Sequence, residues 1–572
     1  MTQADRTLLT RRQWLGKAPV PLLAATIGAA LAGERGMAES RPVESPNTLG
    51  TRTYNVRDYG AKGDGATLDT AALQRAIDTC NRDGGGTVLV PAGTFLIGTT
   101  ELKSNVTLHL AAGAMLLGSG KGTDYHAVDA IPLHGDTTLE DGNWALLYAV
   151  KANKVTIEGP GTIDGQGHLF HSEVRGTPPP SGIGGSRRPY HILCYQCEDL
   201  RVRDIDLLNC AFHSVRVIES SRVHMDGIYI HNRVNGNNDG FHFISTEYAT
   251  VSNCIVKSQD DACAMFGSCR YITITNSSFS TRWSVFRFGG GSAQNITISN
   301  CLLYDVFGCP IKFQVNSGSR HENISFSNLV LDQVTGPIHI SAGPRPPRRN
   351  QAGPTRDVRE ANASPALVRN ISFSNIHGTV TTDPPQLPEA EVKSGYRPGE
   401  KHNCITFNCV GNATMENISL DDVHLTFGGG GTAEDAARRD LPEIAGEYFM
   451  LGPMPAYGLY ARNVHGLTLQ NIRFQVSSPD LRPALIFDHV EDAAINGMSV
   501  QGNTQAESVL RFIDTKQVLM TATRVLNPSP TLLQLEGPEN GGIIVDGGDL
   551  SKASSPITVK DGATESAVKL RS

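Results

Sequence analysis

The sequence predicts an all-β solenoid in which short strands stack coil upon coil into a parallel β-helix. A phrase of four or five alternating apolar residues that ends in Asp or Asn returns along the chain. Six successive copies end 22, 27, 23, 24 and 28 residues apart. A unit that small cannot bury a core alone, so neighbouring units must stack. The terminal residues of these copies are Asp204, Asp226, Asn253, Asn276, Asn300 and Asn328.

Each phrase predicts one strand with a single buried face, because its apolar residues alternate with polar ones. Turn-forming Asn, Asp, Gly and Ser residues separate two or three short strands in every unit. Leucine-rich repeats, the competing solenoid, need a leucine consensus and usually a helix, and these units have neither. Stacking of the units also aligns the terminal Asn residues, so we expect them to form a ladder.

One helix is predicted at the start of the solenoid. The segment Asp69–Asn81 places Leu73, Ala76, Ile77 and Cys80 on one helical face, as expected of an amphipathic helix that caps the open N-terminal end. We expect a β-helix domain over 53–550 and a C-terminal tail over 551–572. Two irregular loops, 343–363 and 379–402, interrupt the repeat and could wall a cleft.

The N-terminus predicts export. Paired arginines in T-R-R-Q-W-L-G-K (10–17) precede an apolar run over 18–32, the pattern of a twin-arginine signal. The run is too short to span a membrane. An amphipathic helix is the alternative, but the run lacks a polar face. We expect a signal peptide over 1–38, a linker over 39–52, and a periplasmic or secreted protein that leaves the membrane after cleavage.

Composition excludes several classes of partner and cofactor. The formal charge is −7, and no basic cluster with interleaved aromatics suggests nucleic acid. Cys194 and Cys197 form one C-x-x-C among eleven cysteines, but no second pair stands at zinc spacing, so we expect no metal site. A local bridge between Cys301 and Cys309 is left open. The sequence does not predict an oligomeric state.

A second short strand follows each phrase by about ten residues, and its middle residue should point outward. The triplets are V-R-V, F-H-F, A-M-F, F-R-F, I-K-F and I-H-I. None of the six outward residues is acidic, which favours a binding surface over a merely solvated sheet face. This column comprises Arg216, His242, Met265, Arg287, Lys312 and His339.

Three aspartates lie at the edge of this column. Asp239 and Asp261 are 22 residues apart, one coil, so they should be stacked neighbours, and Asp260 joins them. Carboxylates this close cannot all ionise, so one should keep its proton near neutral pH. A protonated acid beside an ionised base is what glycosidic bond hydrolysis requires. Calcium binding is the alternative use of clustered carboxylates.

At this point the chain resembles glycoside hydrolase family 28, the polygalacturonase family of right-handed parallel β-helices. Four segments carry the general likeness: Y-N-V-R-D-Y-G-A-K-G-D-G (54–65), V-P-A-G-T-F-L-I-G (90–98), L-K-S-N-V-T-L-H-L (102–110) and G-P-G-T-I-D-G-Q-G (159–167). Two are more specific. Asn237-Asn238-Asp239-Gly240 looks like the family's N-T-D, and Gln259-Asp260-Asp261 looks like its paired aspartates.

The resemblance implies a mechanism and a substrate. Asp239 would be the general acid, Asp260 and Asp261 would activate water, and the anomeric configuration would invert. No metal or organic cofactor would be needed. The substrate would be an acidic, pectin-like polysaccharide or its oligosaccharides, bound with help from Asn237 and from His242 of the outward column.

Two family positions are not matched. Lys312 matches the lysine of the family's R-I-K, but Pro310 stands in place of its arginine. The family's G-H-G histidine has no counterpart, since its region reads T-R-W-S (281–284). Arg282 and Arg287 are candidates to replace the missing residues, because a guanidinium suits a bidentate carboxylate contact. Alternatively, the sugar differs.

Two other functions compete with hydrolysis. A β-helix polysaccharide lyase would use Arg287 or Lys312 as the base, with calcium as the neutraliser. A non-catalytic glycan-binding β-helix would retain binding after loss of Asp239 and Asp261, whereas a hydrolase needs both.

Overall fold

The computed structural model describes residues 52–131, 143–170, 188–345, 363–391 and 395–571. The predicted signal peptide, nearly all of the linker and most of loop 343–363 lie outside these ranges. Within them, 39 strands pair in parallel with strands of neighbouring coils. The pairing runs in three stacks, which we call the first, second and third faces. No helix in the described ranges has the length and apolarity needed to cross a membrane.

The strands divide among these faces as follows. The first face holds β1 (Thr53–Asn55), β3 (Gly86–Val90), β6 (Val106–Leu110), β9 (Asn153–Glu158), β12 (Glu198–Arg203), β15 (Ser221–Asp226), β18 (Glu247–Ser252), β32 (Glu491–Asn496), β37 (Ile543–Asp549) and β39 (Val568–Arg571). The second holds β2 (Asp64–Leu68), β4 (Gly93–Ile97), β7 (Ala114–Gly118), β10 (Thr162–Asp164), β13 (Asp206–Leu208), β16 (Tyr229–Asn232), β19 (Ile255–Ser258), β21 (Ser278–Thr281) and β33 (Ser499–Val500). The third holds β5 (Thr100–Glu101), β8 (Ala145–Val150), β11 (Tyr190–Tyr195), β14 (Val215–Ile218), β17 (Phe241–Ile244), β23 (Cys309–Val315), β25 (Ile338–Ala342), β27 (Ile405–Cys409), β29 (Leu459–Arg462), β31 (Leu485–Asp488), β34 (Leu510–Ile513), β36 (Ser529–Glu536) and β38 (Ala553–Lys560).

Longer strands bend from one face into the next without a break. β20 and β22 begin on the third face and continue onto the first, and β22 goes on to the second, where it pairs with β21. The others run from the first face to the second. These strands are β20 (Cys263–Thr275), β22 (Ser284–Val306), β24 (Arg320–Val334), β26 (Leu367–Val380), β28 (Thr414–Phe427), β30 (His465–Val476) and β35 (Lys516–Val525).

The predicted asparagine ladder is present. Asn300 and Asn328 both have left-handed backbones, with φ of 56° and 55°, a conformation that Asn tolerates better than most residues. Nδ2 of Asn328 donates to Oδ1 of Asn300 at 3.0 Å, and Nδ2 of Asn375 donates to Oδ1 of Asn328 at 2.8 Å. The repeat therefore sets both the turn and the contact between coils.

The apolar residues of each phrase point inward, and together they form one continuous core along the solenoid. Aromatic rings stack between coils, as in Phe288 and Phe313, whose centroids are 4.1 Å apart. All eleven cysteines are free and buried, so the bridge left open between Cys301 and Cys309 is not formed. Small buried thiols here fill core space.

The predicted helix is present as α1 (Thr70–Arg82), with Leu73, Ala76, Ile77 and Cys80 buried. Its role as an end cap stays a prediction. The other α-helices described are the short α2 (Pro398–Lys401) and α3 (Ala433–Ala437). Single 3-10 turns are Val56–Tyr59, Gly122–Asp124, Gly167–Leu169, Tyr448–Leu451 and Glu565–Ala567.

Two boundaries differ from the sequence prediction. The stretch 551–572, expected to be a tail, contains β38 and β39, which pair with β36 and β37 and so extend the solenoid. Its I-T-V-K stretch is followed by Asp561, which has a left-handed backbone with φ of 51° like Asn300 and Asn328, but the sequence prediction did not extend the repeat this far. A long irregular connection over 428–458, between β28 and β29, was not anticipated. It runs over the third face and contributes to the candidate site.

Candidate active site

The outward column on the third face is formed as predicted, with one correction. The register aligns Arg216 with His242, and Arg287 with Lys312 and then His339. Between His242 and Arg287, however, stands Ala264 rather than Met265. Met265 points into the core, in register with Phe243 and Phe288. The prediction placed this triplet one residue too far along the chain. The inward residues of the strand are Cys263 and Met265, so Ala264 is the outward one.

Two turns bring the aspartates together. The N-N-D turn leads into β17 and the Q-D-D turn leads into β20 in the next coil. The N–H of Gly240 donates to the carbonyl of Asp261 at 3.0 Å, and Nδ2 of Asn237 donates to Oδ2 of Asp260 at 3.3 Å. Asn238 is fully buried and its Oδ1 accepts the N–H of Asn235 at 2.6 Å. The turns are therefore rigid and stacked.

Two histidines surround the carboxylate of Asp239. Nδ1 of His242 lies 2.7 Å from Oδ2 of Asp239, and Nε2 of His213 lies 3.5 Å from the same oxygen. The two imidazoles stack, with centroids 4.5 Å apart, and Phe266 covers the other face of His242. Burial, with Arg216 nearby, lowers the pKa of both histidines well below the usual range. Near neutral pH, two uncharged rings thus hold this carboxyl group.

His242 therefore contacts Asp239 rather than an open surface, and only 8% of it is exposed. His213 was missed, because it precedes β14 outside any repeated pattern. Its Nε2, Oδ2 of Asp239 and Nδ1 of His242 lie within 4.8 Å of one another, a spacing that could hold a metal ion. Two of these three ligands are nitrogens, which do not suit calcium. Neither Asp260 nor Asp261 belongs to the group.

The carboxyl groups of Asp260 and Asp261 both have raised pKa values. Burial, together with the adjacent Asp261, raises the pKa of Asp260 to about 7. Burial also raises the pKa of Asp261, although Lys312 and Arg287 oppose the rise. The sequence predicted that one carboxyl of the cluster would keep its proton near neutral pH, and the Asp260–Asp261 pair behaves in this way.

Glu447, from the connection over 428–458, completes the charged cluster. Its Oε2 lies 2.7 Å from Nζ of Lys312, and its Oε1 lies 3.3 Å from Nη2 of Arg287. Nε of Arg287 is also 4.0 Å from Oδ2 of Asp261. Burial alone would raise the pKa of Glu447, but Lys312 and Arg287 lower it to about 2. No repeat pattern marks this residue, so sequence reasoning missed it.

Comparisons with known proteins agree on one family. The family model described as glycosyl hydrolases family 28 matches residues 80–436. The chain belongs to this family. A probable polygalacturonase of Vitis vinifera is 32% identical over 204 residues, which are 34% of this chain and 40% of that protein. An exo-poly-alpha-D-galacturonosidase of Dickeya chrysanthemi is 29% identical over 267 residues, 39% of this chain and 43% of that one. The chain thus spans less than half the length of these two relatives.

Solved structures of family 28 support the fold. A hyperthermoactive exopolygalacturonase from Thermotoga maritima aligns with a TM-score of 0.55 at 20% identity, covering 74% of this chain and 92% of that one. A family 28 exopolygalacturonase of Yersinia enterocolitica gives 0.53 at 19% identity, covering 78% and 79%. The right-handed parallel β-helix implied by the resemblance is confirmed.

Arg282, expected to replace a missing family 28 residue, has other contacts. Its Nη2 lies 2.9 Å from Oε2 of Glu400, which is fully buried, and its Nη1 donates to the carbonyl of Phe307 at 2.9 Å. Its guanidinium also lies 4.2 Å from the ring centre of Tyr396. These contacts tie Arg282 to the loop that carries α2. Only 4% of the residue is exposed, so a sugar carboxylate has little access to it.

Proposed function

We propose that the protein is a glycoside hydrolase that cleaves a pectin-like, galacturonic acid-containing polysaccharide or its oligosaccharides with inversion. The observation that carries the proposal is the contact between the N-N-D and Q-D-D turns. It gathers Asp239, Asp260 and Asp261 at one edge of the third face, with at least one proton retained among them. Membership of family 28 supports the same reaction.

The proposed roles follow from the surroundings of each carboxyl group. Asp239 gives its proton to the leaving glycosidic oxygen, while His242 holds the carboxyl in place. A water molecule attacks the anomeric carbon from the opposite side and loses a proton to the Asp260–Asp261 pair. One glycosidic bond breaks, one carbon–oxygen bond to water forms, and one new reducing end appears.

The proposed substrate class rests on the relatives. Arg287 and Lys312 stand in the outward column beside the aspartates, where they border a bound glycan. The relatives named as polygalacturonases point to galacturonic acid. Asn237 borders the site and donates to Asp260, so we propose that it orients this carboxyl and contacts substrate. We assign Arg282 to holding the α2 loop.

We further propose attack from a chain end. Residues 443–447, which we call the Glu447 segment, cover the third face beyond Lys312. Nδ2 of Asn408 donates to the carbonyl of Ile444 at 3.0 Å, and Nε2 of His339 lies 3.2 Å from the carbonyl oxygen of Gly446. A glycan bound at the aspartates cannot continue over these coils. Size analysis of early products should therefore find mono- or disaccharides rather than a ladder of intermediate lengths.

Neither rival function has comparable support. A lyase needs a base that can reach the substrate, but Nζ of Lys312 and Nη2 of Arg287 already contact the carboxylate of Glu447. A non-catalytic glycan-binding protein does not require two adjacent buried carboxyl groups, Asp260 and Asp261, that resist ionisation. The lyase makes a distinct prediction in the assay below.

Time-resolved proton NMR of a pectic oligosaccharide digest tests the proposal. The new reducing sugar should first appear with the anomeric configuration opposite to that of the broken bond, then equilibrate. Appearance of the retained anomer first would reject inversion. An unsaturated product, formed only when a divalent cation is present, would indicate the lyase.

We also propose twin-arginine export to the periplasm or beyond. Replacing Arg11 and Arg12 by Lys should retain the protein in the cytoplasm, as cell fractionation would measure. Unchanged export of that variant would refute the route while leaving the enzymatic proposal standing.

A further inference from the structure

The two cations nearest the aspartates already have a carboxylate partner within the chain. Lys312 and Arg287 both contact Glu447 at the distances given above, and Nη2 of Arg287 also lies 2.5 Å from Oε1 of Gln314. The side chain of Lys312 is 1% exposed and that of Glu447 is 21% exposed. A sugar entering this part of the site therefore meets the carboxylate of Glu447 before it meets the ammonium of Lys312.

The backbone of the Glu447 segment is anchored, so Glu447 is a fixed part of the wall. The N–H of Ala445 donates to the carbonyl of Pro344 at 2.8 Å, and Nε2 of Gln314 donates to the carbonyl of Ala445 at 3.1 Å. The contacts of Asn408 and His339 hold the preceding and following carbonyls. These bonds come from three successive coils of the third face and fix the segment along its length.

The two cations of this cluster are paired without a ligand. Glu447 is ionised, because Lys312 and Arg287 lower its pKa to about 2, and its two carboxylate oxygens contact both cations. Burial lowers the pKa of His339 to about 4, so its ring is neutral near pH 6 and adds no positive charge. A uronate carboxylate placed here would compete with Glu447 for the same two cations, and its desolvation would not be compensated.

We propose that Glu447 determines specificity: the sugar bound next to Lys312 and Arg287 is neutral, and its hydroxyl groups donate to the Glu447 carboxylate. This inference rests on the proposed function and narrows its substrate to a glycan with a non-acidic sugar on one side of the broken bond. Galacturonic acid belongs in the other subsites. The carboxylate of Glu447 stands where a uronate would otherwise pair with the two cations.

The test compares trigalacturonate with trisaccharides in which one chosen carboxyl group is reduced to a primary alcohol. Wild-type enzyme should cleave one of the singly reduced trisaccharides with at least about tenfold higher kcat/KM than trigalacturonate, the scale of one charged hydrogen bond. Glu447→Gln should lower that preference by about tenfold or more. Glu443→Gln is the matched control, because Glu443 lies in the same segment but pairs with Arg462 at 3.0 Å, away from the cations.

Calorimetric binding separates this inference from the reaction itself. In an Asp239→Asn background, Glu447→Gln should tighten trigalacturonate binding about tenfold, while Glu443→Gln should not. The inference would be overturned if wild type cleaved trigalacturonate in preference to the reduced trisaccharides, or if Glu447→Gln left the binding of trigalacturonate unchanged. Absence of binding in every background would also overturn it. Cleavage of no pectic glycan by wild type, with the binding contrast intact, would instead reject the proposed function. If Glu447→Gln fails to fold, the wild-type preference alone decides.

Discussion

Nδ2 of Asn237 donates to Oδ2 of Asp260 at 3.3 Å across two consecutive coils. This contact joins the turn that carries Asp239 to the turn that carries Asp260 and Asp261. Its consequence is that the geometry of the aspartate cluster depends on the stacking of the solenoid itself. Asn237 has a left-handed backbone with φ of 55°, a conformation in which Asn is common.

The raised pKa of Asp260 predicts a pH-dependent effect of Asp260→Asn on stability. The carboxyl titrates near 7 in the folded protein and near 3.8 when unfolded, so folding favours its protonated form. The wild type therefore loses stability as pH rises from about 4 to about 7, and the Asn variant does not. Relative to wild type, Asp260→Asn should gain about 1 kcal/mol or more in unfolding free energy between pH 4.5 and pH 8.

Urea unfolding at the two pH values measures this difference, and any fixed cost of the substitution cancels between them. Asp206→Asn, at an exposed position on β13, is the control and should show a smaller change. A difference of the opposite sign would mean that Asp260 is ionised more easily in the fold than in the unfolded chain.

His242 should act by positioning Asp239. His242→Phe keeps a ring between His213 and Phe266 but removes the 2.7 Å contact with Oδ2 of Asp239. We expect kcat to fall about 10- to 100-fold with little change in KM, since loss of a hydrogen bond to a charged or reacting group costs about 1.5–3 kcal/mol. The pH profile of kcat should also shift on the limb that reports the general acid.

Steady-state kinetics across pH, with His224→Phe as an exposed control, would check this role. A large rise in KM at constant kcat would instead assign His242 to substrate binding, as the sequence first predicted.

Arg282 should matter for stability and not for substrate recognition. Removing one partner of a buried ion pair leaves the other uncompensated, which typically costs about 3–5 kcal/mol. Arg282→Met should therefore destabilise the protein strongly, and Arg282→Met with Glu400→Met should recover part of the loss. Lys401→Ala, which breaks the exposed contact with Asp383, should change little. Chemical denaturation of the four proteins would show whether the double variant recovers; failure to do so would contradict the buried pair.

The sequence was most informative where the repeat governs the structure. Alternation and the terminal Asn or Asp predicted the strands, the ladder and the stacking of Asp239 on Asp261, because in a solenoid a spacing of one coil becomes a contact. The same reasoning misplaced Met265 by one position. A three-residue triplet contains too little alternation to fix which residue faces inward, and a shift of one residue reverses every side chain.

The rest of the site could not be predicted, because it depends on residues distant in sequence. Glu447 reaches Lys312 from 135 positions away, and Glu400 reaches Arg282 from 118 positions away. Both come from irregular connections whose paths have no period. Glu400 and Glu447 meet Arg282 and Lys312 only in the folded protein, so the sequence pattern does not reveal these pairs. From the pattern alone, both cations therefore looked equally available to a substrate.

The central claim is that the three aspartates hydrolyse glycosidic bonds, and one assay tests it most directly. Purified wild type, Asp239→Asn and Asp261→Asn are incubated with a panel of pectic polysaccharides and oligosaccharides while reducing ends and ultraviolet absorbance are followed together. We predict new reducing ends without new absorbance for wild type, and loss of the reducing-end signal in each variant by several orders of magnitude. New absorbance from an unsaturated uronate, or undiminished activity in either variant, would contradict the claim.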